Sequence, residues 1–93
     1  MHEEYRRYQQ IEQDLLTKIQ DAEHGLSQLS LLQTGQQQQQ LLESLHALHA
    51  EIRAAIFIAE ELLTAAQLRR LQRRVNVHDP HRWQHYRDYK SPL

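Results

Sequence analysis

Leu41, Leu45, Leu48, Ile52, Ala55, Ala59, Leu62 and Ala66 follow one another at spacings of four and three residues, which lays them along one stripe of an α-helix. Between Ala54 and Ala59 the run AAIFIA adds Ile56, Phe57 and Ile58, so for about a turn and a half the same helix is apolar nearly all round. One neighbouring helix cannot cover that much surface. The stripe therefore points to an all-α fold and leaves apolar surface over for a partner.

A second stripe precedes it: Tyr8, Ile11, Leu15, Ile19, Ala22, Leu26, Leu29 and Leu32, with Arg7, Glu12, Asp14, Lys18 and Asp21 on the wet side. Glu3 and Glu4 place negative charge where a helix N-terminus favours it. Gly25 interrupts this helix at a cost of about 1 kcal/mol relative to alanine, and marks either a soft end or a close approach of another segment. Thr34-Gly35 reads as the stop, with the glycine in the left-handed conformation that closes a helix. The run Gln36 to Gln40 reads as the exposed first turns of the next helix rather than as a flexible linker, because glutamine is a good helix former. A connection this short makes its two helices antiparallel neighbours. Residues 1–75 are thus expected to form a helical hairpin, helix one about 3–33 and helix two about 36–75, with Leu15, Ile19, Leu29, Leu45, Leu48, Ile52, Ala59 and Leu62 in its core.

Beyond the hairpin, 76–93 is a basic, aromatic tail in which Asp79-Pro80 reads as an N-cap with proline at the first helical position, opening a short helix from Pro80 to Tyr89 that stops before Pro92. Trp83, Tyr86 and Tyr89 alternate there with His81, Arg82, His85, Arg87 and Lys90. Such a segment can stack on bases, sit at a membrane interface, fold back onto the hairpin or stay disordered. Charge is divided unevenly along the chain: 1–63 carries four Arg and Lys against ten carboxylates, whereas 64–93 carries seven cations against Asp79 and Asp88. The simpler consequence is that tail meets body, within one chain or between two copies; the sharper one is a basic arm for an acidic partner. Arg69, Arg70, Arg73 and Arg74 form two i, i+4 pairs, a candidate basic contact that the dipole at a helix C-terminus also explains.

Nothing in the chain spells catalysis. No glycine-rich phosphate loop or zinc motif occurs, and no cysteine is present, so disulfides and thiolate metal sites are excluded. His46 and His49 stand one turn apart beside the leucine stripe with only Glu43 as a third ligand, so neither a metal nor any other cofactor is expected, and the histidines are read as a source of sensitivity to mild acid. No stretch is long enough to span a bilayer and the N-terminus lacks an apolar export signal, which gives a soluble, cytoplasmic, non-enzymatic protein as the expectation.

The segment from Gly35 to Leu63, with its glycine, its glutamine-rich restart QQQQQLLESL and the run LHALHAEIRAAIFIAEELL, resembles the small co-chaperones of type III secretion needle subunits. The matching positions are Gly35 at the turn, Gln36 to Gln40, and Leu48, Ile52, Ala55, Ile56, Ile58 and Ala59; the likeness covers roughly residues 8–66. It implies an acidic helical hairpin in the cytoplasm that pairs with a larger helical-repeat chaperone, the two together keeping a self-polymerising needle subunit soluble before export. On the residues themselves, Ile56, Phe57, Ile58 and Leu63 are the expected partner-binding patch, with self-association into a homodimer when the chain is alone. The second reading is a dimeric helical regulator whose basic C-terminal arm contacts nucleic acid, which the acidic body and the missing reader motif disfavour.

Overall fold

The structure is a computed structural model that describes residues 2–90. Met1 and the end of the tail, 91–93, lie outside the described residues, and so does the stop expected at Pro92. Four helices follow in order: α1 (His2–Leu29), α2 (Gly35–Leu62), α3 (Ala65–Val75) and α4 (Arg82–Arg87). The described residues contain no strand. α1 and α2, each 28 residues long, pack against one another as the expected hairpin. The molecule is accordingly elongated, 51 × 23 × 21 Å.

The turn differs from the expectation in its chemistry. α1 ends at Leu29, not near 33, and a short link through Leu32 leads to Thr34, whose hydroxyl accepts the N–H of Gln37 at 3.1 Å. Gly35 is the first residue of α2, and neither it nor Gly25 has a positive φ. Threonine capping, rather than a left-handed glycine, therefore sets this boundary. Gln36 to Gln40 are exposed first turns of α2, as their composition implies. Gly25 serves a close approach: a Cβ there would lie 2.7 Å from Leu45 Cδ2, so the missing side chain is what lets α2 seat Leu45 against α1.

Helix two does not run on to 75. It stops at Leu62, and Thr64 opens α3 with a capping box in which its hydroxyl accepts the Gln67 N–H and the Gln67 side chain accepts the Thr64 N–H. α3 then turns back along the hairpin, bringing Leu71 and Val75 into a core with Leu15, Ile52 and Ile56, the five large side chains that are fully buried. Trp83 of α4 joins the same core. α4 is shorter than the helix expected from Pro80 to Tyr89, and Asp79 is not its N-cap. Asp79 instead accepts the His81 N–H at 2.8 Å, while Asn76 Oδ1 accepts the Trp83 N–H at 2.7 Å. The tail thus folds back onto the hairpin.

The divided charge is partly satisfied inside the one chain. Arg74 lies 4.0 Å from Glu12, Arg82 3.1 Å from Glu23 and Arg87 3.0 Å from Glu60, so three cations of the basic end meet three carboxylates of the acidic body.

Candidate partner-binding site

Two ladders at spacings of three and four fit α2. Leu48, Ala55 and Leu62 continue one, and His49, Ile56 and Leu63 the other, about 100° round the helix. The protein uses both at the level of Ala55 and Ile56, then follows the second: Ile56 is fully buried and Leu63 nearly so, while Leu62 is half exposed. Leu29 and Leu48 are partly buried at the rim of the core, whereas Leu15, Ile19, Leu45, Ile52 and Ala59 are buried as expected. The reason is α3 and α4, which pack on the side of the hairpin where Ile56, Leu63 and His49 lie. Ile56 and Leu63 are accordingly core residues, not part of a partner-binding patch, and Leu62 is a surface residue, not core.

Phe57 and Ile58 remain exposed, at 43% and 50%, with Leu62 at 49%. They do not form one patch, because consecutive helical residues diverge by about 100°. Phe57 lies on the α4 side, with the Arg53 and Arg87 guanidiniums 5.5 and 5.7 Å from its ring centre. Its surface is already shared with two cations of the same chain. Ile58 lies on the other flank, in a groove of about 370 Å³ between α1 and α2 whose floor is Ile11, Ala54 and Ala55 and whose rim is Asp14, Lys18 and Glu51. Lys18 and Asp14 pair across one turn at 2.9 Å, which leaves the rim polar but close to neutral. This groove is the mirror of the one that α3 fills: the same two helices present an apolar seam on each side, and only one side is covered.

The tail aromatics build a second cluster. His49 is buried, with the rings of Tyr86 and Tyr89 edge-on at 5.6 and 4.5 Å. Tyr89 Oη and His46 Nδ1 are 2.7 Å apart, and Arg53 Nη1 donates to the Tyr89 carbonyl at 2.9 Å. Burial, and then the neighbouring His46, hold the His49 pKa below the ordinary histidine value. Neither ring nitrogen of His49 has a hydrogen-bond partner, nor do Trp83 Nε1 and Arg53 Nε. Of the four roles open to the tail aromatics, Tyr86 and Tyr89 take that of folding back: they are packing groups that hold the tail to α2. Among the described residues no three metal-ligating side chains converge, and no helix is long and apolar enough to cross a membrane.

No protein-family model, curated protein or solved structure matches the chain. What it does has to be argued from its surface.

Arg69, Arg70, Arg73 and Arg74 are all exposed on α3. Arg69 and Gln72 line the far side of α3, Arg70 and Arg74 line a groove against α1, and Arg73 borders both. Arg70 stacks over Tyr8 at 5.3 Å, and Tyr8 donates its hydroxyl to Glu12. Burial, and then that bond to a carboxylate, push the Tyr8 phenol up to about 12.

Proposed function

We propose that the protein is a non-enzymatic helical adaptor, and that it takes a helix of its partner into the open groove between α1 and α2. The observation that carries this reading is Ile58, half exposed over an apolar floor, with Leu62 continuing the seam one turn on. Two antiparallel helices make a seat for a third, and α3 occupies the equivalent seat on the opposite side. Burying one side chain of this size is worth roughly 1.5 to 3 kcal/mol, so Ile58 and Leu62 supply a core for a modest interface.

The more specific form of this reading is a cytoplasmic co-chaperone that pairs with a larger helical-repeat chaperone and through it keeps a type III secretion needle subunit soluble. Its support is the resemblance over residues 8–66, which covers the hairpin and stops where α3 begins. Phe57→Asp is a poor probe, since a carboxylate there would pair with Arg53 and Arg87. Ile58→Asp has no such compensation except Lys18, which is already engaged by Asp14. Wild-type protein and the Ile58→Asp variant are to be used as bait in the native host, and captured proteins identified by mass spectrometry. A helical-repeat chaperone retained by the wild type and lost from the variant, with unchanged helicity by circular dichroism, is the expected result. Retention by both would exclude this groove as the interface.

A further inference from the structure

A groove of about 540 Å³ runs between α1 and α3, on the opposite flank of α1 from Ile11, Asp14 and Lys18. Its floor is apolar, made of Leu16 and Ile19, with the exposed Val77 at its edge. Its α3 wall carries Arg70, Arg73 and Arg74, and its end carries Arg82. We propose that this groove is a second docking site, and that its occupant is an acidic amphipathic helix of a protein partner. The inference goes beyond the reading given for the Ile58 groove and does not depend on it.

Charge and spacing select that occupant. Arg82 is committed to Glu23, and Arg74 lies at the limit of an ion pair with Glu12. Arg73 makes no ion pair among the described residues, and Arg70 is held over Tyr8 rather than against a carboxylate. The wall therefore keeps surplus positive charge at the places where α3 is least compensated. Arg70 and Arg74 are one turn apart, about 6 Å along the axis, which is the repeat of glutamates at i and i+4 on a facing helix. Arg70 and Arg74 lie one above the other on α3, and Arg73 stands about 100° round from Arg74, so the three are spread along the wall, which suits a chain of carboxylates better than one anionic headgroup.

The opposite wall argues against nucleic acid. Glu23 and Gln20 line it and Glu12 stands beside it, so a polyanionic backbone lying in the groove would meet carboxylates as well as arginines. An amphipathic helix carries its acids along one edge only. With that edge on α3, its apolar seam falls on Leu16, Ile19 and Val77 and its polar edge on α1.

The test is a fluorescence-polarisation titration of the full chain with a labelled synthetic helical peptide that has a leucine seam and glutamates one turn apart on one edge. A peptide with lysines in place of the glutamates and a duplex oligonucleotide serve as competitors in kind. The acidic peptide should bind saturably and the lysine peptide should not. Arg73→Glu should weaken binding about tenfold and Arg73→Gln by a smaller factor, with helicity unchanged in both. Ile58→Asp, on the other flank of α1, should leave the affinity within about twofold. Equal binding of the lysine peptide, an affinity indifferent to Arg73→Glu, or tighter binding of the oligonucleotide than of the peptide would each overturn the proposal. So would self-association of the chain that Arg73→Glu abolishes, since the occupant would then be a second copy.

Discussion

Both ring nitrogens of His49 are buried without a hydrogen-bond partner, so a proton taken up there would bring charge into a cleft that already faces Arg53 and His46 from α2 and Arg82 and His85 from the tail. Glu23 and Asp79 line the same cleft but leave the ring nitrogens unpartnered. A histidine whose folded pKa lies below its unfolded value of 6.5 is protonated first in the unfolded chain. Its contribution to stability is therefore complete above that value and is lost as the pH falls through it towards the folded pKa. We predict that the urea midpoint drops between about pH 7.5 and about pH 5.5, and that His49→Leu removes part of the drop. An equal drop in the variant would assign the effect to other histidines. Seven histidines in the sequence raise the expectation of sensitivity to mild acid without saying where it would reside. Tyr89 reaches both His46 and His49, whereas Tyr86 packs on His49, and the spacing of three residues from Trp83 to Tyr86 and from Tyr86 to Tyr89 is the signal that a single aromatic face would dock somewhere.

At the level of elements, the break between α2 and α3 decides most of the packing. Thr64-Ala65-Ala66-Gln67 has the spacing of a capping box, yet Ala65 and Ala66 are strong helix formers and the apolar ladder passes through them without interruption. Periodicity alone therefore favours one long helix through Val75, and with it a core built on Leu62 in place of Leu63. Capping wins because it satisfies N–H groups that a kink would otherwise strand, and because turning back lets Leu71 and Val75 be buried. Thr64→Ala is expected to cost about 1 kcal/mol in urea unfolding, with earlier hydrogen exchange in α3 than in α1. A variant as stable as the wild type would mean that the turn is held by side-chain burial without help from the cap. The hairpin itself was legible, since both stripes and a short connection are sequence features; the ends of its helices were not, because Leu32, Leu62 and Ala66 satisfy the period without being covered.

For the molecule as a whole, the acidic and basic halves of the sequence are two sides of one bundle. Arg74, Arg82 and Arg87 fix α3 and α4 to the hairpin at three points along it, while Leu71, Val75 and Trp83 fill the space beneath. A chain ending after Leu63 should therefore keep helical circular dichroism but uncover Ile56 and Leu63, and it is expected to aggregate or to melt without a cooperative transition. A monomeric fragment melting cooperatively at the midpoint of the full chain would show that α3 and α4 add nothing to the core. Since α2 is covered by α1 on one side and by α3 and α4 on the next, Leu45, His49, Ile52, Ala55, Ile56, Ala59 and Leu63 each carry a packing demand. Sequence drift is then channelled away from those positions and into the outer face of α1 and the glutamine turns that open α2, so that the part of the chain that looks most repetitive is also the part with the widest licence to change.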